Sequence, residues 1–368
     1  MRKGWEYKRW KEVLTIINGK NQSAVVDENG EYPIYGSGGI MGYANNWLCP
    51  GNCVIIGRKG NINKPIFVET KFWNVDTAFG LNANKEYLLP KFLYYFCLDY
   101  NFERHNKAVT IPSLTKADLL KIDIPLPPKS TQLAIVSELD KINELIRLKK
   151  EQLKDFDNLA QSLFYEMFGD PVENEKGWEV KMLGDVCTDI TDGDHMPPPK
   201  SEYGIPFITI SDIDKESRSL NFENTYYVPI DYYNKLKENR KARIGDLLYT
   251  VTGSYGIPVI VKTDKQFCFQ RHIALLRPNI EILSTIFLYY WMLNDGVKFM
   301  ADKVAKGIAQ KTVGLNSIRK FSCILPPLPL QHLFTHRIEL IEHQKSEVQK
   351  AITDLETLLA SRMQYWFE

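Results

Sequence analysis

Several short clusters of polar side chains in this 368-residue chain have the chemistry to bond nucleic acid. Arg58, Lys59 and Asn61 directly follow the apolar run Cys53–Ile56, so a strand there would carry them to its end. His105, Asn106, Lys107 and Thr110 form a second cluster. Later in the chain come Thr252 with Ser254, Gln270-Arg271-His272, Lys306 with Gln310 and Lys311, and Asp194-His195. Arg and Lys suit guanine, Asn and Gln suit adenine, and hydroxyls and backbone amides suit phosphate. For each residue, a solvated turn or a locally satisfied hydrogen bonder is the competing reading.

Catalytic patterns are missing. No G-x-x-x-x-G-K-[ST] phosphate loop occurs, nor an Asn-Pro-Pro-Tyr or Asp-Pro-Pro-Tyr, and Gly36-Ser37-Gly38-Gly39 is too weak a signal for a cofactor loop. His332 and His336 share a helical face without the Glu of H-E-x-x-H, which suits a solvated face better than zinc. The six cysteines are scattered, with no C-x-x-C pair, as expected of free thiols in a reducing compartment. Scattered acidic residues do not exclude a nuclease, because its carboxylate pairs are too common by chance.

The elements that must position the polar clusters are announced by an internal repeat. Ile124–Gln132 reads I-P-L-P-P-K-S-T-Q, and Cys323–Gln331 reads C-I-L-P-P-L-P-L-Q. Pro127, Pro128, Gln132, Leu159, Ser162 and Phe168 fall on Pro326, Pro327, Gln331, Leu358, Ser361 and Phe367, a constant offset of 199 (326 − 127). Positions 139, 142, 146, 149, 153, 156, 160, 163 and 167 alternate steps of three and four, a heptad seam, and the same register recurs 199 residues later. Polar residues interrupt the seams at Lys149 in one copy and at Lys345 and Arg362 in the other. Each seam spans roughly 57 Å as a helix, too long for one small core, so the two should pack on each other. Two ordinary amphipathic core helices are the alternative.

The repeat extends upstream. Gly4-Trp5-Glu6 and Gly177-Trp178-Glu179 begin the two halves, and Trp5 and Trp178 are expected to anchor each domain against a helix end. Strand-like segments follow Gly51 and Gly245, and the aromatic helices F-L-Y-Y-F-C-L-D and F-L-Y-Y-W-M-L-N begin at Phe92 and Phe287. Between these landmarks the halves diverge: Tyr32–Trp47 carries Y-P-I-Y-G-S-G-G-I-M-G-Y, whereas Thr191–Lys200 carries T-D-G-D-H-M-P-P-P-K. Mixed strand runs, Gly/Asn/Pro turns and short helices indicate α+β domains.

Composition is that of a globular protein, with 44% hydrophobic and 12% aromatic residues, ample for two or three domains. A net charge of +1 disfavours a purely electrostatic polyanion binder. No apolar run approaches the roughly 20 residues of a membrane span, and the start M-R-K-G-W-E lacks a signal-peptide core, so a cytoplasmic protein is expected.

A Gly-Trp-Glu start, a variable domain, a Pro-Pro segment, a Gln and a long helix, all occurring twice, resemble the specificity subunit of Type I restriction-modification systems over essentially the whole chain. Gly307–Thr312, G-I-A-Q-K-T, resembles that family's polar segment before the second helix. The resemblance implies two globular target-recognition domains joined by two long antiparallel coiled-coil helices with a pseudo-two-fold repeat. The boundaries are 1–130 and 170–329 for the domains, and 131–169 and 330–368 for the helices. It implies a non-catalytic subunit whose domains each read one half of a split DNA site. Methyltransferase subunits, two in number, would dock on the helices, and restriction subunits would join for cleavage. S-adenosylmethionine, ATP and magnesium would act on those partners.

Pairing about a two-fold places the helices antiparallel and throws the domains to opposite ends. Two readers on such a spacer imply half-sites about 34 Å apart, one turn of B-DNA. Because the domains differ, the half-sites should differ. Inserting residues into both helices should then change the gap alone. A coiled-coil scaffold whose end domains bind proteins is the competing class, and a self-contained nuclease or modification enzyme a third.

Overall fold

Both heptad seams are helical throughout. In a computed structural model that describes residues 5–106, 111–195, 199–307 and 310–367, the helices run Lys129–Phe168 and Leu328–Phe367, 40 residues each. The three-four spacing marks the covered stripe: Leu139, Ile142, Ile146 and Ala160 are buried in the first helix, and Ile338, Ile341, Val348 and Ile352 in the second. Contacts group the chain into two compact units, Met1–Gln152 with Val348–Glu368, and Leu153–Glu347, so each unit holds part of both helices.

Within each unit the two helical segments run antiparallel, and the polar interruptions of the seam are paired. In the first unit Arg362 is ion-paired with Glu138, its Nη2 donating to Oε2 at 3.1 Å, and Trp366 Nε1 donates to the same oxygen at 3.0 Å. The Arg362 hydrogen bond holds the Glu138 carboxyl below the usual range. Lys149 Nζ donates to Gln152 Oε1 at 3.0 Å on its own helix, and the neighbouring Lys150 Nζ meets Glu356 at 2.8 Å. In the second unit Lys345 Nζ donates to Asp157 at 2.7 Å and to Glu342 at 3.0 Å.

The Pro-Pro and Gln signature is a clamp. Prolines end the strands Asp123–Leu126 and Ser322–Leu325, because they offer no N–H to a ladder. One turn into each helix a fully buried glutamine then satisfies three backbone groups. Gln132 accepts from Leu89 N at 2.9 Å and donates to Tyr87 O and Pro127 O at 2.8 and 3.0 Å. Gln331 accepts from Ser284 N at 2.8 Å and donates to Ile282 O and Pro326 O at 3.0 and 2.8 Å. The clamp thus fastens the helix start to the turn before each aromatic helix, Pro90–Asp99 or Thr285–Leu293. Phe367 packs 5.3 Å from Phe92, and Phe168 packs 4.8 Å from Phe287, so both helix ends plug an aromatic core. Trp178 Nε1 donates to Phe168 O at 2.8 Å, and Trp5 stacks on Trp366 at 6.4 Å, as expected of helix-end anchors.

The first unit carries a four-stranded antiparallel sheet in the order Leu14–Asn18, Ala78–Ala83, Cys53–Gly57, Ile66–Val68. A second sheet places Tyr32–Gly36 between antiparallel Gly39–Ala44 and parallel Trp73–Asn74. The second unit repeats this plan with Cys187–Asp192, Ile273–Pro278, Leu247–Thr250 and Pro258–Ile260. There Ile205–Ile208 lies between antiparallel Tyr226–Val228 and parallel Cys268–Phe269. The three-stranded sheets of the two units therefore share a strand order. Their connections differ in length: Ser37-Gly38 joins the antiparallel pair in the first unit, and Thr209–Thr225 joins it in the second.

Candidate nucleic-acid interface

The same loop-on-loop device ends the central strand of each four-stranded sheet. In the first unit Gly60 N donates to Pro112 O at 3.0 Å and Leu114 N to Arg58 O at 2.9 Å, with Lys59 bridged to Ser113. In the second, Gly253 N donates to Lys311 O at 3.0 Å and Val313 N to Val251 O at 2.8 Å, with Thr252 bridged to Thr312. Both turns require glycine, at φ +78° for Gly60 and +69° for Gly253. Lys59 and Thr252 therefore hold equivalent positions, and the frame presents a cation in one unit and a hydroxyl in the other.

In the first unit Arg58, Lys59 and Asn61 are exposed, and Arg58 and Lys59 are held through their amides by Thr77 O at 2.8 and 3.3 Å. The Arg58 guanidinium stands 5.8 Å from the Phe79 ring. His105 and Asn106 are engaged locally. Tyr100 hydrogen-bonds and stacks on His105, with 2.7 Å between Oη and Nε2. Asn106 accepts from Ser113 N and donates to Glu103, both at 3.0 Å, and so braces the loop that meets Lys59. Lys107 and Thr110 lie outside the described residues, as do Gly4, Met196 and Ile308-Ala309 of the repeat segments.

The second unit gathers its candidates into a cleft of about 490 Å³. Thr252, Ser254, Gln270, His272 and Gln310 line it, together with Thr209, Ile210, Ser211 and Gly253. Gln270 is positioned by its own amide, which donates to Ile208 O at 3.0 Å. Gln310 lies so close over Gly253 that a Cβ there would meet its Nε2 at 2.9 Å. Thr312 donates to the buried Thr252 hydroxyl at 3.2 Å, and Lys215 Nζ reaches Ser254 Oγ at 3.1 Å. Burial, helped by Arg271, pushes the His272 imidazole below its usual range, so it is neutral at neutral pH. Arg271 Nε approaches its Nε2 at 3.4 Å. Amides, hydroxyls and a neutral imidazole converge here, the set that hydrogen-bonds base edges.

Other candidates stand outside that lining. Arg271, Lys306 and Lys311 are exposed. His195 pairs with Asp192 at 3.0 Å, in a network where Arg240 reaches Asp192 and Asp194 at 3.4 and 3.8 Å. Tyr232 donates to Asp194 at 3.0 Å, and burial together with that carboxylate raises its phenol. Thr209, Ser211 and Lys215 were absent from the sequence candidates. The signal for the first two was Thr209-Ile210-Ser211-Asp212, a capping pattern that closes as Asp212 accepts from Thr209 N at 2.7 Å. Among the described residues no group of three or more His, Cys, Asp or Glu could hold a metal ion, and no helix is long and apolar enough to cross a membrane.

Residues 2–155 and 175–356 match the family model described as the Type I restriction modification DNA specificity domain. A putative type I restriction enzyme specificity subunit of Haemophilus influenzae is 24% identical over 353 residues, covering 92% of this chain and 87% of that protein. The EcoBI specificity subunit of Escherichia coli is 22% identical over 336 residues, covering 84% and 70%. Among solved structures, the Type-I restriction-modification S subunit from M. genitalium aligns over 99% of this chain and 96% of its own, with TM-score 0.56 and 15% identity. A chain solved to explain complex assembly and conformational transition of the type I R-M system aligns over 99% and 97%, with TM-score 0.62 and 19% identity.

Proposed function

We propose, since the chain belongs to the family of Type I restriction-modification DNA specificity subunits, that its two units read the unequal halves of one split DNA site with the side chains just described. The observation that carries this reading is the repeated loop-on-loop device with unlike contents: Lys59 and Asn61 in the first unit, Thr252 and Ser254 over an amide-lined cleft in the second. An identical frame with different donors and acceptors selects different bases. DNA recognition is the family's work. The chain itself is non-catalytic in this proposal, and acts in the cytoplasm on double-stranded DNA, with two methyltransferase subunits docked on its helices and restriction subunits added for cleavage. S-adenosylmethionine, ATP and magnesium belong to those partners, and residues 1–130 and 170–329 are the two target-recognition domains.

The test uses the chain assembled with its methyltransferase subunits. Gln270→Ala and Gln310→Ala should each relax discrimination at one position of a single half-site, by about 5- to 150-fold for a lost bidentate amide. Arg58→Ala, at an exposed cation outside that set, should instead weaken binding to all sequences alike and lower the salt slope by about one. Equal weakening on every sequence by the glutamine variants would remove the cleft from base reading.

A further inference from the structure

The hairpin of the first unit exposes two large apolar side chains at its tip, beside a basic loop. Ile40 is 56% and Met41 63% exposed, whereas Ile34 on the partner strand is 1% exposed. The register explains the placement. Ile34 pairs with Gly42 but Tyr35 pairs with Ile40, so Met41 is an extra residue, a β-bulge that turns consecutive side chains outward. Met41 folds back over Gly36, where a Cβ would come within 2.6 Å of its sulfur. Gly39, at φ +125°, has open space where a side chain would be, so the tip is thin.

The hairpin is fixed to the candidate interface. Tyr35 O accepts from Val75 N at 3.0 Å, and Thr77, two residues on, holds the amides of Arg58 and Lys59. A Cβ on Gly38 would lie 3.9 Å from Asn61 Nδ2. The apolar tip and the cationic loop thus belong to one surface. A cationic flank complements phosphate, and a thin two-stranded ribbon fits the major groove, where the apolar feature on offer is the thymine methyl group.

We infer that the Tyr32–Ala44 hairpin enters the major groove of the half-site read by the first unit, with Ile40 and Met41 packed on thymine 5-methyl groups. The inference rests on the proposed DNA-reading function and adds specificity residues to it. The equivalent strand of the second unit leads instead into Thr209–Ser211 of the polar cleft, so the two halves are read by unlike tips.

The experiment uses the complex with methyltransferase subunits and a DNA site found by sequencing methylated products, with uracil replacing thymine in one half-site at a time. Uracil in the first unit's half should weaken binding about fourfold per contacted methyl, the change expected for one methyl-sized apolar group. An Ile40→Ser, Met41→Ser double variant should bind thymine and uracil sites equally in that half, with second-half discrimination and thermal stability unchanged. Equal binding of uracil and thymine sites by the unaltered complex would overturn the inference, as would a variant that keeps the uracil penalty. Failure of the unaltered complex to select any split site would instead defeat the DNA-reading function itself.

Discussion

Replacing Arg277 with methionine is expected to cost the second unit roughly 3–5 kcal/mol, the range for breaking a buried ion pair from one side. Asp246 is 3% exposed, and its carboxylate takes Arg277 Nε and Nη2, both at 2.8 Å. The same guanidinium donates to Lys241 O at 2.9 Å and Asp189 at 3.1 Å, so it joins strand Ile273–Pro278 to strand Cys187–Asp192 and to the turn before Leu247. Methionine keeps the apolar stem but leaves Asp246 one charge-free partner, the Arg243 amide at 2.8 Å. Urea denaturation of the full chain would register the loss, and hydrogen exchange would place it in Leu247–Thr250 and Ile273–Pro278. Adding Asp246→Leu should recover part of the stability, because the cost lies in the uncompensated charge. A double variant no more stable than Arg277→Met would contradict this account.

Replacing Gln331 with leucine is expected to cost roughly 2–5 kcal/mol, because it strands Ser284 N, Ile282 O and Pro326 O in a site where the glutamine is fully buried. Leucine fills similar volume, so the loss measures hydrogen bonding more than a cavity. Protection from hydrogen exchange should fall at the start of Thr285–Leu293 and at the first turns of Leu328–Phe367. Gln132→Leu should have the matching effect around Pro90–Asp99 and Lys129. Unchanged stability in both variants would show that the repeated glutamine does not clamp the helix starts.

The parts of the fold legible in the sequence were those in which local pattern and structure share a cause. A three-four spacing of apolar residues has one outcome when a stripe must be covered, and Leu139, Ile146, Ile338 and Ile352 are buried accordingly. The Pro-Pro and Gln spacing recurred because it builds the same clamp twice. The matching sheets of the two domains were not legible. Their central pairings, such as Ile34 with Trp73 and Phe207 with Cys268, link distant residues, and the connections between equivalent strands differ in length.

The candidate interface was half legible for a related reason. Gln270 and Thr252 announced themselves as polar residues at strand ends, yet the cleft exists only because segments near 210, 253, 271 and 310 converge. His195 looked equivalent in sequence but is drawn to Asp192. That Ile40 and Met41 both face outward follows from the bulge, which residue order does not announce.

The most direct test is a genome-wide map of methylated adenines in the source organism, with the gene intact, deleted, and carrying residues 1–130 exchanged for those of a relative with another specificity. The account predicts that one split motif with unequal halves loses methylation on deletion, and that the exchange rewrites one half while preserving the other. A motif that survives deletion, or an exchange that alters both halves together, would contradict it.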